Sequence, residues 1–320
     1  MPVRSASRLL HLPLGGAALA DQHVHDLPGL LRAGDRLVVN NTRVMAARLR
    51  GARPTGGRVE LVALSPVPVN TPFLARPARK LKVGEIITLD SGDTVTITRT
   101  AQEGVVLGTA SAPIEQVMER AGEMPLPPYM ERPADEADSD RYQTVFAGPL
   151  GAAAAPTAGL HFDDALLAAL ADAGVGISNV TLHVGLGTFR PLREEDVARG
   201  SLHSEWCEVT EAAAREIGQT RADGGRIIAI GTTSARTLEA STPPGARAPQ
   251  PGQRETTLFI QPPHTFRGLD GLFTNFHLPR SSLLMMVACL CGKERLFSAY
   301  QHAIANGYRF YSYGDAMLLL

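Results

Sequence analysis

Hydrophobic and polar positions change their spacing along the chain, and the change predicts two kinds of structure. Between residues 58 and 108, short apolar segments alternate with Pro, Gly, Asn and Asp turn signals. Several short strands at such spacing favour a small barrel or sandwich. The predicted strands are 59–64, 71–75, 86–89, 94–98 and 105–108.

After residue 151 the apolar pattern alternates between helical and strand periods. Helices are predicted at 163–173 and 210–221 and strands at 177–184 and 225–230, while 257–261, 282–291 and 308–313 complete the alternation. Together with an earlier strand at 37–39, this predicts an α/β domain with a mostly parallel or mixed sheet covered by helices. The β-rich block is then either inserted into the α/β domain or appended to it.

Three local features predict connecting structure. Ser111 is expected to cap a helix that has Pro113 near its first turn. The acidic stretch 135–140 is expected to be a solvated loop, and the Pro/Gly-rich stretch 241–254 a mobile loop.

Composition narrows the class of protein. The chain has 320 residues, with 31 Lys+Arg against 32 Asp+Glu and 44% hydrophobic residues, which excludes a disordered or fibrous chain. The longest uncharged apolar run, 283–291, falls short of the ~20 residues of a membrane span. The net charge of −1 gives no global attraction to nucleic acid, so a polyanionic partner would need a local basic patch.

Cysteine usage predicts a reducing, cytoplasmic compartment. The three cysteines cannot form a disulfide framework, and neither they nor the histidines have zinc-ligand spacing, so no metal site is expected. The first twenty residues faintly resemble a secretory signal, but His11, Pro13 and two glycines interrupt the apolar stretch, so we expect no signal peptide.

One glycine turn is a candidate for binding an anion or a nucleoside. An apolar strand ends at Gly231 and is followed by Thr232, Thr233 and Ser234 at the start of a helix. Such a turn presents free backbone N–H groups, the positive helix end and three hydroxyl groups to a ligand. The alternative is that Thr233 or Ser234 simply caps the helix.

A second glycine turn follows the strand at 177–184. Gly185 and Gly187 form an incomplete dinucleotide fingerprint, because the third glycine position holds Arg190. The sequence therefore gives only weak support for pyrophosphate binding, although the glycines allow a ligand or another backbone to approach closely.

Histidines and one basic run are further candidates. His161, His183, His203 and His277 follow strands or lie in turns, where α/β sheets bind ligands, although a lone histidine is usually structural. The densest run of basic residues holds two of the three lysines and is either a solvated face or a phosphate-contacting patch; it consists of Arg76, Arg79, Lys80 and Lys82.

In chain order, these segments resemble one family. The motifs are SRLL (7–10), NTRV (41–44), GGRVE (56–60), PLPPY (125–129), YQTVF (142–146), AAPTAGLHF (154–162), LHVGLGTF (182–189), HSE (203–205), GTTSAR (231–236), TNFHLP (274–279) and YSYGDAM (311–317). The chain resembles the S-adenosylmethionine:tRNA ribosyltransferase-isomerase family of queuosine biosynthesis. The resemblance implies a larger α/β domain with a mixed sheet (1–52 and 149–320), interrupted by a smaller inserted β-barrel domain (53–148).

The resemblance also implies the reaction. The ribosyl part of S-adenosylmethionine moves to 7-aminomethyl-7-deazaguanine at the tRNA wobble position and isomerises, giving epoxyqueuosine-tRNA with release of adenine and methionine. The partners are tRNA and S-adenosylmethionine, which serves as the ribosyl donor. No further cofactor, metal or membrane is expected, and the chain is expected to be a monomer.

Site residues follow from the matching motifs. The catalytic candidates are His161, His183, Glu205, His277 and Asp315. The substrate-binding candidates are Thr157, Gly185, Gly187, Thr188, Thr232, Thr233, Ser234, Arg236, Asn275 and Tyr311. Phe162, Phe189, Phe276 and Tyr311 are candidate surfaces for base stacking, and the basic run is the candidate tRNA contact. Nine of these are expected to line one pocket: His161, His183, Glu205, Thr232, Ser234, Arg236, Asn275, His277 and Asp315.

Two other classes of function stay open at this point. One is a different S-adenosylmethionine-dependent enzyme such as a methyltransferase, which lacks support because no complete glycine-rich fingerprint appears. The other is a non-catalytic RNA-binding barrel protein, which fits poorly because most of the matching motifs lie outside the predicted barrel.

Overall fold

The computed structural model describes residues 3–100, 104–127, 130, 132, 134–185 and 194–320. Its strands, numbered in chain order, are β1 (Arg8–Leu12), β2 (Ala20–His23), β3 (Arg36–Asn40), β4 (Arg43–Val44), β5 (Arg48–Ala52), β6 (Arg58–Ala63), β7 (Thr71–Arg76), β8 (Ile86–Leu89), β9 (Thr94–Thr100), β10 (Val105–Ala110), β11 (Leu150–Ala152), β12 (Gly176–Leu182), β13 (Ser201–Val209), β14 (Ile227–Ile230), β15 (Gly252–Leu258), β16 (Gly271–Asn275) and β17 (Ala316–Leu319). Its α-helices are α1 (Leu27–Leu30), α2 (Ile114–Ala121), α3 (Glu136–Arg141), α4 (Asp164–Asp172), α5 (Glu194–Arg199), α6 (Glu211–Ala222), α7 (Thr232–Ser241), α8 (Ser282–Cys291) and α9 (Lys293–Ala305).

The larger part of the chain is built on a mixed sheet of nine strands. The strand order is β15-β13-β12-β3-β14-β16-β17-β1-β2. The four neighbours β12, β3, β14 and β16 pair in parallel, whereas β13 and β17 run antiparallel to β12 and β16. The carboxyl ends of the four parallel strands therefore meet at one edge of the sheet, where α/β proteins bind ligands.

Both faces of the sheet are covered. Leu37, Val38 and Val39 in β3 are all buried, as expected for a parallel strand packed on both sides. Val38 belongs to the apolar cluster formed with α6, α7, α8 and α9, whereas Leu37 and Val39 pack on the opposite face with Leu166 of α4.

The β-rich block forms a closed antiparallel barrel. The strand order around it is β10-β7-β6-β5-β8-β9. Ile114, Val117 and Met118 of α2 are buried in the same apolar cluster as the barrel strands. The fold class predicted from the sequence, an α/β domain with a mixed sheet and a smaller barrel, is confirmed. The domain boundaries at 52/53 and 148/149 remain predictions, and the first barrel strand spans Arg48–Ala52.

Local structure differs from the expectation in several places. The stretch 308–313 forms neither a helix nor a strand, and the strand of that region is β17, which begins at Ala316. The acidic stretch 135–140 is not a loop, because Asp135 caps α3 and the Asp138 carboxylate is buried against Arg132 at 2.6 Å. The stretch 241–254 is not a loop throughout, since β15 begins at Gly252 and pairs with β13. The residue that caps α2 is Pro113, while the Ser111 hydroxyl accepts a hydrogen bond from the Thr94 N–H at 3.0 Å.

Candidate functional site

A cleft lies at the carboxyl edge of the parallel strands. Its walls come from the segments after β14 and β16, from the 3₁₀ helix Thr157–His161 and from the loop before β17. The described residues that line it are Ala155, Pro156, Thr157, Ala158, Val184, Gly231, Thr232, Thr233, Thr274, Asn275, Phe276, His277, Leu278, Ser281, Leu283, Tyr311 and Ser312.

The N-terminus of α7 opens into this cleft. Gly231 caps the helix with φ 87°, a conformation that favours glycine, and no side chain makes a capping hydrogen bond. Ser234 is fully buried and its hydroxyl donates to the Ile230 carbonyl at 2.8 Å. The hydroxyl oxygen of Thr233 is buried with no hydrogen-bond partner within the described part of the chain. The alternative that Thr233 or Ser234 caps the helix is therefore wrong.

Asn275 connects two predicted site residues. Its side-chain oxygen accepts from the Thr157 hydroxyl at 2.9 Å, and its nitrogen lies 3.1 Å from Nε2 of His161. The same nitrogen donates to the Tyr311 carbonyl at 3.3 Å, which assigns it as the NH₂ side, so Nε2 of His161 must accept. Burial lowers the pKa of His161 to about 4 and keeps the imidazole neutral.

His277 is held from two sides. Oγ1 of Thr274 lies 2.7 Å from Nε2 of the imidazole, and the backbone N–H of His277 donates to the Tyr300 hydroxyl at 2.8 Å. Burial lowers the pKa of His277 to about 4, although part of the residue stays open to the cleft. His277 is therefore a neutral imidazole in the cleft wall.

His183 is clamped between two neighbours and does not line the cleft. Its ring stacks on Trp206 with centroids 4.8 Å apart, and Nδ1 lies 2.8 Å from the Thr42 hydroxyl. A Cβ added at Gly151 would lie 2.6 Å from Nε2, so only glycine leaves room for the imidazole. Burial lowers the pKa of His183.

Glu205 and Arg236 form an ion pair between β13 and α7. The two side chains are 8% and 9% exposed. Arg236 also donates to the carbonyls of His203 and Thr256, and Glu205 accepts from the Gly185 N–H at 3.1 Å. The pair therefore fixes the turn at Gly185 relative to α7, and both charges are engaged within the protein.

Asp315 closes the loop that carries Tyr311. Burial acts to raise the pKa of its carboxyl, but hydrogen bonds from Arg309 and from the N–H of Arg8 hold that pKa below the ordinary value. Tyr311 has φ 72°, a conformation that non-glycine residues rarely adopt, and its side chain borders the cleft.

The predicted residues thus fall into several groups. Thr157, Thr232, Thr233, Asn275, His277 and Tyr311 line the cleft, and His161 touches it through Asn275. Of the nine residues expected in one pocket, only Thr232, Asn275 and His277 line the described cleft. His183, Glu205, Arg236, Ser234 and Asp315 do not line it, and Gly187, Thr188, Phe189 and Arg190 lie outside the described residues. Phe162 is fully buried in the sheet core, so the prediction that its ring stacks on a base is wrong.

Three residues of this arrangement were not selected from the sequence. Thr42 and Thr274 each touch a candidate histidine, and Trp206 stacks on one. Both threonines lie inside the family motifs NTRV and TNFHLP, so the motifs could have identified them as site residues. Nothing in the sequence pairs Trp206 with His183.

The basic run lies on the barrel surface. Arg76 ends β7, and Arg79 and Lys80 lie in a short 3₁₀ helix that follows it. All four side chains, including Lys82, are exposed, and none forms an ion pair with a described residue. The run is therefore available for an external anion.

Two further features bear on possible partners. Within the described ranges, one group of side chains could hold a metal ion, namely His23, His25 and Asp26, whose ligand atoms lie within 4.8 Å of one another. This group does not line the cleft. No helix in the described part of the chain has the length and apolar character needed to cross a membrane.

Comparison with known proteins gives consistent matches. A family model described as "Queuosine biosynthesis protein" matches residues 1–319. The S-adenosylmethionine:tRNA ribosyltransferase-isomerase of Cereibacter sphaeroides is 48% identical over 99% of this chain and 93% of its own length. That of Gloeobacter violaceus is 50% identical over 99% and 90%. The crystal structure of S-adenosylmethionine tRNA ribosyltransferase from Thermotoga maritima matches with a TM-score of 0.55 and 31% identity, over 99% of this chain and 93% of that one.

Proposed function

Since the chain belongs to the queuosine biosynthesis protein family, we propose that it is an S-adenosylmethionine:tRNA ribosyltransferase-isomerase. The observation that carries the proposal is the identity of 48–50% to relatives of that name over nearly the whole of both chains. The protein transfers the ribosyl moiety of S-adenosylmethionine to 7-aminomethyl-7-deazaguanine in tRNA and isomerises it. The products are epoxyqueuosine-tRNA, adenine and methionine.

The proposed ribosyl transfer suits a site that is lined by neutral hydrogen-bond donors and apolar side chains. The positive sulfonium acidifies the adjacent C5′ protons of the ribose, and the attacking amine must be neutral. Departing adenine needs a hydrogen-bond or proton donor. Neutral imidazoles supply donors without placing a second positive charge beside the sulfonium.

The cleft is the proposed site for S-adenosylmethionine. Its apolar wall, which includes Phe276, Leu278 and Leu283, suits a nucleoside, and the N-terminus of α7 offers backbone N–H groups to an oxygen of the ligand. The buried hydroxyl of Thr233 supports the same proposal, because a bound ligand would give it a partner.

The tRNA is proposed to lie across the cleft and the barrel. The side chain of Tyr311 borders the cleft and is 36% exposed, which suits stacking on an unpaired base. Arg76, Arg79, Lys80 and Lys82 are the proposed phosphate contacts, because their charges are exposed and unpaired with described residues.

We further propose that the protein works in the cytoplasm as a monomer, without a metal or any cofactor besides its substrates. The cytoplasmic location follows from the substrates, because both are cytoplasmic molecules.

Product analysis tests the function. Purified protein is given S-adenosylmethionine and tRNA that carries the aminomethyl-deazaguanine base, with chelator present. Adenine and methionine should appear in equal amounts. Release of S-adenosylhomocysteine would identify a methyltransferase, and tRNA binding without any product would identify a non-catalytic RNA-binding protein. Either result from folded protein overturns the proposal.

A further inference from the structure

Thr274 and His277 form a hydrogen bond whose direction can be deduced. Thr274 lies in β16 with 1% of its surface exposed, and its Oγ1 is 2.7 Å from Nε2 of His277. Within the described part of the chain, this imidazole nitrogen is the one hydrogen-bond partner of the hydroxyl.

Either group could be the donor of this hydrogen bond, and the burial of Thr274 decides between the two directions. If Nε2–H donated to Thr274, the hydroxyl hydrogen would be buried without an acceptor, which is unfavourable. If Thr274 donates to Nε2, both groups are satisfied. The lone pair of Nε2 is then occupied, and a neutral imidazole carries its proton on Nδ1.

The Nδ1 side of the ring is free to act on a ligand. It has no hydrogen-bond partner among the described residues, and His277 lines the cleft with part of its surface exposed. The residue therefore presents one N–H donor and no basic lone pair to whatever occupies the cleft.

We propose that Thr274 is a positioning residue that fixes His277 as the Nδ1–H tautomer, so that His277 donates a hydrogen bond to an oxygen or ring nitrogen of the bound ligand. The identity of that ligand, S-adenosylmethionine, rests on the proposed function, whereas the tautomer is a property of the free protein. A neutral donor suits this ligand because an imidazolium would repel its sulfonium cation.

The tautomer is tested first, on the full chain without ligand. Proteins labelled with ¹⁵N in histidine are compared by ring nitrogen NMR at neutral pH. We expect Nδ1 to be protonated and Nε2 to be bare in the wild type and in Thr274→Ser. In Thr274→Val, which lacks the donor, Nε2–H should become populated. A wild-type ring protonated on Nε2 overturns the inference.

Ligand donation is tested by calorimetric titration with S-adenosylmethionine in the absence of tRNA. Thr274→Val and His277→Phe should each weaken binding about tenfold, roughly the value of one hydrogen bond, while Thr274→Ser should bind as the wild type does. Thr242→Val is the matched control, because that hydroxyl is also buried but donates to the Leu238 carbonyl away from the cleft.

The outcomes separate this inference from the proposed function. If His277→Phe binds S-adenosylmethionine as tightly as the wild type does, His277 does not donate a hydrogen bond to the ligand and the inference is overturned. This variant alone decides the question if Thr274→Val does not fold. If the wild type releases no adenine with tRNA but the tautomer and the binding losses are as expected, the inference stands and the proposed reaction falls.

Discussion

The imidazole of His183 lies parallel to the indole of Trp206, with ring centroids 4.8 Å apart and an interplanar angle of 17°. The two residues face each other across the β12–β13 pair, where the N–H of His183 donates to the Trp206 carbonyl. The hydroxyl of the fully buried Thr42 forms a hydrogen bond with Nδ1, at a distance of 2.8 Å. His183 is therefore oriented by a hydroxyl on one edge and packed on its ring face.

Replacing Gly151 by Ala should displace His183. The added Cβ would lie 2.6 Å from Nε2 and in similar contact with two ring carbons, so the imidazole must leave its stack on Trp206. We expect kcat/KM to fall about tenfold or more, because His183 directly precedes Val184 of the cleft wall and displacing the ring shifts that wall. Trp206 is the one tryptophan of the chain, so its fluorescence reports the loss of stacking directly.

Gly148→Ala is the matched control for this substitution. A Cβ there would come no closer than 3.7 Å to any neighbour, so both activity and fluorescence should stay at wild-type values. An unchanged fluorescence spectrum in Gly151→Ala would contradict the assigned packing.

Neutralising Glu205 should destabilise the protein strongly. In Glu205→Gln the buried Arg236 keeps its charge without a carboxylate beside it, and breaking a buried pair in this way costs about 3–5 kcal/mol. Urea unfolding measures the loss. In contrast, Arg58→Gln breaks the exposed pair with Asp90 and should cost under about 1 kcal/mol. Equal losses in the two variants would show that the Glu205–Arg236 pair is solvated.

Acid should destabilise the folded protein through His161. Its pKa is about 4 when folded, against the ordinary 6.5, so between these values the unfolded chain binds a proton that the folded protein does not. The free energy of unfolding should therefore fall as pH is lowered, by about 2 kcal/mol from this residue between about pH 7 and pH 5.

The His161→Gln variant isolates that contribution. Glutamine keeps an acceptor for the Asn275 amide but cannot take up a proton, so its unfolding free energy should change less with pH than that of the wild type. His25→Gln, at a side chain 55% exposed, is the control and should keep the acid-driven loss. Identical pH dependence in His161→Gln and wild type would be evidence against a buried neutral imidazole.

The basic run on the barrel should govern the salt dependence of tRNA binding. Replacing Arg79 and Lys80 by Ala should weaken binding and lower the slope of log affinity against log salt by about one to two. Affinity for S-adenosylmethionine should not change, because neither residue lines the cleft. Arg58→Ala removes a barrel charge that Asp90 already partners and should alter the slope less. If the slope is that of the wild type, the run is only a solvated face.

Capping residues and apolar runs in the sequence correctly predicted the helices and strands that depend on neighbouring residues alone. Thr210 caps α6 with its hydroxyl on the Ala213 N–H, and the apolar run before Gly231 forms β14. The loop predicted for 135–140 is wrong although the cap of α3 is local, since Asp135 accepts from the Asp138 N–H. The burial of Asp138 also involves Tyr313, 175 residues away, and no local pattern carries that contact.

The same distinction applies to the site. Residues at the carboxyl ends of parallel strands were expected to converge, and Asn275 does meet His161 across 114 residues of sequence. The orientation of each imidazole could not be predicted, because it depends on which buried hydroxyl or amide lies beside it. Arg236 illustrates the limit: its motif made it a substrate-binding candidate, whereas its guanidinium pairs with Glu205.

The position of β17 has a consequence for how the protein is made. The strand lies between β16 and β1, and the N–H of Arg8 bonds to Asp315 across 307 residues. During synthesis the β1–β2 hairpin leaves the ribosome early but has no neighbour to pair with in the sheet until Ala316–Leu319 emerges. The nascent chain must therefore keep the unpaired edge of β1, a strand with three leucines, from mispairing for nearly the whole of translation, which makes it a natural client for a chaperone that acts at the ribosome.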